Sequence, residues 1–176
     1  MIFDYNHLNL DNLSDMVSVT PLLMYFSLFY NVLVFGSAES LKFFISMLFV
    51  AVSTDVIKRL PMPKSLYKLT RRPEGAKNCD FLSKGGICKA NAPGCPSGHM
   101  ATTVFFLVVT MMLYSRKYST FKAFAEVHYR LIGFSVLLIL LMGWSRYYKK
   151  CHNVIQIIGG SLFGLGMAFL VNRYII

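Results

Sequence analysis

The sequence predicts an all-α protein: a polytopic membrane bundle of about five transmembrane helices joined by one long polar loop with short helical pieces. Three observations carry this. The chain of 176 residues is 55% hydrophobic and only 15% charged, where a soluble domain of that size carries about 25% charged residues. Its mean hydropathy is positive. Its apolar residues also fall in runs long enough to cross a bilayer, which needs ~20 residues per helix.

Five spans can be drawn, at about 16–36, 40–60, 99–115, 128–145 and 153–172, and residues 1–176 read as one membrane domain. Pro21 stands near the start of span one, where proline costs little. Asp55 lies late in span two, so its carboxylate is expected at the bundle interior or the interface. Span three is the shortest, and span four follows a basic link with Arg116, Lys117 and Lys122. The one large extramembrane element is the loop 61–98. The first fifteen residues hold Asp4, Asp11 and Asp15 but no Lys or Arg, which argues against a cleavable signal peptide.

Counting crossings fixes a geometry. The end of span two, the start of span three, the end of span four and the start of span five share one face of the membrane, and every motif of chemical interest lies there. The net charge of +10 is gathered largely in polar segments beside histidines, which favours a phosphate-bearing substrate over nucleic acid, for which no exposed soluble basic face exists. The acidic amino-terminal tail, the basic link between spans three and four, and the cysteines point to a lumenal or external position for this face, although its own Lys and Arg content argues the other way. Of the four cysteines, Cys79, Cys88 and Cys95 lack the tight spacing of a zinc ribbon. A disulfide inside the loop, such as Cys79 with Cys88, is expected instead.

Within Pro96-Ser97-Gly98-His99, Ser97 suits a helix N-cap, the first amides of the helix attract anions, and Gly98 lets a phosphate approach the backbone. His99 then stands where it can protonate a leaving oxygen. A plain helix start with an interfacial histidine is the competing reading. In Ser145-Arg146 and His152, the guanidinium offers a fork for phosphate oxygens. Gln156 lies one turn beyond His152 and can accept its ring proton, aiming the other nitrogen at phosphorus. The competing reading places His152 in an aromatic belt with Trp144, Tyr147 and Tyr148. Arg71-Arg72-Pro73, preceded by Lys58, Lys64 and Lys68, adds a third basic cluster. Gly160, Gly164 and Ala168 recur every four residues in span five, a stripe for close helix packing inside the bundle or for a homodimer.

A lysine and Arg-Pro, then Pro-Ser-Gly-His, then Ser-Arg with a histidine six positions after the arginine resemble the type 2 phosphatidic acid phosphatase and haloperoxidase superfamily, over roughly residues 58–160. That resemblance implies that His152 is the nucleophile, that His99 is the general acid, and that Arg72, Ser97, Gly98 and Arg146 hold the phosphoryl group. It implies a lipid phosphatase, metal-independent and without a cofactor, acting on a lipid phosphate or diphosphate through phosphohistidine. Two departures qualify it. The position seven before Arg72 is Ser65, so the lysine of the first motif is Lys58 or Lys68, with Lys64 a weaker third. The residue orienting the nucleophile, usually aspartate, is Gln156, a feature similar to dolichyl-diphosphate phosphatases. The family's larger members have six spans, so their first has no counterpart here. The alternatives are a lipid phosphotransferase on the same scaffold, or a weak or inactive protein that binds lipid headgroups. A haloperoxidase would need a soluble helical body.

Overall fold

A computed structural model describes residues 9–76, 79 and 92–176. Five helices in it are long and apolar enough to span a membrane. They are α1 (Leu10–Phe35), α2 (Ala38–Arg59), α4 (Gly98–Ser115), α5 (Phe121–Tyr148) and α6 (Val154–Tyr174), with a short α3 (Tyr67–Thr70) in the polar loop behind a 3-10 turn at Lys64–Leu66. Among the described residues there is no strand, only one isolated bridge between Arg71 and Pro93.

The ends of the helices follow local chemistry. Asn9 caps α1, six residues before the expected start, and Gly36 ends it in the left-handed region at φ 59°, which glycine adopts without strain. Ser37 caps α2 and Thr120 caps α5, each accepting from a backbone N–H three residues on. The helix of span four starts at Phe121, but its backbone leaves helical geometry at His128, the residue from which the apolar run was read. His128 is held there by Tyr118, whose hydroxyl lies 2.7 Å from its Nε2.

The two ends of the bundle are tied by different contacts, and these bear out the alternation of crossings. At one end Ser14 of α1 meets Ser145 of α5 at 3.1 Å, and the Ser97 amide donates to the Gln156 carbonyl at 3.1 Å. At the other, Arg116 donates to the Asn172 side chain at 2.8 Å and reaches the Ile176 carbonyl at 3.3 Å.

The central packing is that of α4 on α6, the most extensive helix contact in the molecule. A methyl group at Gly160 would lie 2.4 Å from the Ser97 carbonyl, and one at Gly164 would lie 2.3 Å from that of Ala101. Both positions and Ala168 are buried. The stripe expected to serve either the bundle or a homodimer packs against α4 of the same chain. Around it Met47, Val50, Phe105 and Val109 close the core, while much of the outward surface is apolar, including Phe49, Phe134, Leu140 and Leu162, as contact with lipid requires.

Gly164→Leu should thus force α4 and α6 apart, and overpacking of this kind costs about 1–3 kcal/mol. The expected result is a thermal midpoint lower by roughly 5–10 °C. Gly166→Leu, at a position with nothing within 4 Å, should leave the midpoint nearly unchanged, and the pair can be compared in one detergent melt.

Candidate active site

The site lies where α2 and α5 end and α4 and α6 begin. A cavity of about 200 Å³ opens there, lined by Lys58, Arg72, Gly98, His99 and His152, with Tyr25, Thr54, Asp55, Thr102 and Cys79 completing much of the wall. The two histidines, far apart in sequence, face one space.

His152 is the best-defined group. It is buried in the turn between α5 and α6, and its Nδ1 lies 3.1 Å from Gln156 Oε1. The amide group of Gln156 cannot turn round, because its Nε2 donates to the carbonyls of Leu69 at 3.0 Å and Arg71 at 2.8 Å. Its oxygen must then face the ring, so Nδ1 carries the proton and Nε2 keeps a lone pair. Gln156 has a second task. It is the third residue of α6, and with Asn153 it forms a reciprocal capping box: the Gln156 amide donates to Asn153 Oδ1 at 2.9 Å, and the Asn153 amide donates back to Gln156 Oε1 at 3.3 Å. Helix start, loop and imidazole are fixed by one side chain.

Burial pushes the His152 pKa down to about 3, helped by the charge of Arg72 and opposed by the Gln156 hydrogen bond, with smaller contributions from Arg146 and Lys58. The ring is therefore neutral at any physiological pH.

The segment after α3 brings up Arg72. Backbone pairing of 70–72 with 92–95 holds it, through Arg72 N–H to the Ala92 carbonyl at 2.9 Å and Gly94 N–H to the Thr70 carbonyl at 2.8 Å. Gly94 is needed here, since a Cβ would fall 2.8 Å from Gln156 Oε1. Of the candidate lysines, Lys58 lines the cavity and is paired with Asp55 at 2.8 Å. Lys68 and Lys64 are exposed, and neither is among the described residues lining the cavity. The stretch from Pro61 to Leu66, which includes the 3-10 turn, lies between Lys58 and Arg72 in the chain. Asp55 itself stands at the cavity, as its position in span two required.

Ser97 holds the N-cap position of α4 without making a side-chain cap. Its hydroxyl is buried and, among the described residues, has no hydrogen-bond partner. Gly98 follows it, and a Cβ there would stand 3.3 Å from Thr54 Oγ1 and 3.4 Å from Lys58 Nζ, crowding the cavity wall. The first amides of α4 lack helical acceptors and add positive potential beside His99.

Arg146 behaves differently from the expectation that it lines the phosphate site. It is fully buried and is not among the residues lining the cavity. Its guanidinium donates to the Cys79 carbonyl at 3.2 Å and to the Ser18 hydroxyl of α1, and Lys149 beside it binds Asp15 and Ser18. Its charge still reaches His152. Ser14, Ser18 and Asp15 escaped sequence reasoning, although serines four apart in an apolar helix are a legible sign of a polar contact.

The expected Cys79–Cys88 disulfide is corrected. Cys79 is bonded to Cys151, with Cα atoms 5.4 Å apart, which places Cys79 against the α5–α6 turn. Cys88 lies outside the described residues, and Cys95 has a free thiol. Among the described residues, no three His, Cys, Asp or Glu side chains gather as a metal site would require.

Fold and site together define a membrane-embedded helical bundle with a cation-lined, two-histidine cavity at one end. A model of the PAP2 superfamily matches residues 39–175, more than half of the chain, and the protein belongs to that superfamily of phosphatases. No curated protein and no solved structure matches it.

The depressed pKa of His152 has a stability consequence. Between about pH 6.5 and 3 the unfolded chain takes up a proton at His152 that the folded one refuses, so stability falls as pH falls through that window. Melts of wild type and His152→Asn from pH 7 to 4 should show a shallower acid loss in the variant, and parallel slopes would contradict the burial assigned to this ring.

Proposed function

We propose that this protein hydrolyses a phosphate or diphosphate monoester of a lipid through a phosphohistidine intermediate, without metal. The observation that carries the reading is His152: neutral, buried, and held by Gln156 with its unprotonated Nε2 available beside a cavity that also holds His99, Lys58 and Arg72. In the first step Nε2 attacks phosphorus, the bond from phosphorus to the lipid oxygen breaks, and His99 gives that oxygen a proton. In the second, water attacks the phosphoimidazole, His99 takes back a proton, and the P–N bond breaks to release inorganic phosphate and regenerate the ring. Lys58, Arg72, Ser97 and the amides at Gly98 hold the equatorial oxygens, whose charge grows in the transition state. Arg146 acts from behind, through its charge and its grip on the Cys79 carbonyl. The Cys79–Cys151 disulfide supports a lumenal or external site, since such bonds persist in oxidising compartments. Gln156 is compatible with a polyprenyl-type diphosphate substrate.

Purified protein should release phosphate from phosphatidic acid or an isoprenyl diphosphate in the presence of a chelator. His152→Ala should lose this by at least a thousandfold with its melt preserved, and acid-labile phosphate should label wild type but not the variant. Retained activity in His152→Ala would end the proposal. A lipid alcohol in the assay distinguishes hydrolysis from transfer by its phosphorylated product.

His99→Ala should slow a lipid phosphate by about a hundredfold or more, the scale of general acid catalysis, and an activated aryl phosphate far less. Lys58→Ala should raise KM or lower kcat for every substrate, while Lys68→Ala should leave both near wild type.

A further inference from the structure

A second cavity, of about 250 Å³, adjoins the first. Lys58 lines both. The other cations of the second are Arg59 and Arg71, set among Pro61, Met62 and Pro93. Neither arginine side chain has a part in the mechanism above.

The backbone explains how two consecutive basic pairs come to serve two cavities. Arg71 is extended, at φ −96° and ψ 151°, so successive side chains leave the chain on opposite sides. Arg72 enters the catalytic cavity and Arg71 the second one. This segment is pinned at the Arg71 carbonyl by Gln156 and by the bridge to Pro93. The Arg71 guanidinium lies 3.8 Å from the centre of the Tyr67 ring, which orients its plane and limits its hydration. On the other side Lys58 and Arg59 close α2 together, where their charges suit the carbonyl end of the helix. Guanidinium groups recognise phosphate oxygens through paired, charge-assisted hydrogen bonds, and Pro61, Met62 and Pro93 set apolar surface beside them.

We propose that this cavity is a second phosphate-binding subsite, adjacent to the catalytic one and sharing Lys58 with it. It takes a phosphate next to the one being cleaved: either the second phosphoryl group of the substrate itself or the headgroup phosphate of a neighbouring bilayer lipid. The placement of the reacting phosphate rests on the lipid phosphatase reading, whereas the anion site does not.

The test uses the full chain in zwitterionic detergent, with inorganic phosphate and pyrophosphate as calorimetric ligands and as inhibitors of lipid phosphate hydrolysis. If the two phosphates belong to one ligand, pyrophosphate binds about tenfold or more tightly than phosphate, as one added charge-assisted contact would give. Arg59→Gln and Arg71→Gln then each remove most of that ratio without changing phosphate affinity. If the source is the bilayer, the two anions bind alike, and phosphatidylglycerol added to the micelles stimulates wild type but neither variant. A pyrophosphate advantage untouched by both substitutions, or no advantage together with equal lipid response in all three proteins, overturns the subsite. Arg59 is exposed at a helix end, so its variant carries the test if Arg71→Gln melts early. Absence of any hydrolysis by wild type would sink the phosphatase reading alone, because calorimetric binding of pyrophosphate and of a short-chain phosphatidylglycerol to wild type and both variants still decides the anion site: loss of either in the variants supports it, and equal binding of both by all three proteins overturns it.

Discussion

The approach of α4 to α6 is the constraint on which the rest depends. Carbonyl oxygens of α4 sit where the side chains of residues 160 and 164 would be, so the two helices meet backbone to backbone. In a bilayer no hydrophobic gain draws helices together, and packing of small residues takes its place. The contact begins at the Ser97–Gln156 backbone bond. His99 therefore starts one helix beside Gln156, the residue at the start of α6 that orients His152 in the preceding turn.

The polar loop supplies Arg72, and three contacts tie its described residues down. Gln156 takes the Leu69 and Arg71 carbonyls, Asn153 takes the Leu69 carbonyl at 3.2 Å, and the Cys79–Cys151 bond fastens the far side next to His152. Each tie ends within a few residues of the nucleophile. A displaced loop would thus alter the histidine as well as the anion site, which makes the loop part of the active site and not a cover over it.

Much of this was legible in advance. Apolar runs gave five helices because lipid-facing sides need no polar periodicity, and the Ser-Gly-His and Ser-Arg segments marked helix ends by their capping and anion chemistry. Which of Lys58, Lys64 and Lys68 lines the cavity was not legible, since it depends on the path of the chain between α2 and Arg72, which no spacing rule encodes. Nor was the Cys79–Cys151 pair, because pairing follows spatial proximity and the two cysteines stand 72 residues apart in the chain. Arg146 was read from its type as a phosphate ligand. Its commitment to Ser18 depends on where α1 packs, and α1 begins before the region that matches the superfamily.

Glutamine where a carboxylate is usual changes the electrostatic logic of the nucleophile. An aspartate beside Nδ1 would favour the imidazolium and raise the ring's proton affinity, whereas an amide fixes the tautomer and adds no charge. With Arg72, Arg146 and Lys58 acting against protonation, the ring is kept neutral, and in the proposed attack on phosphorus it would receive little help from Gln156 as positive charge develops on it. That help would have to come from the phosphoryl oxygens, held in the proposed mechanism by cations that also repel the proton. The cations would thus have two opposed effects, keeping the free ring neutral and, once phosphate is bound, positioning the anion that compensates it.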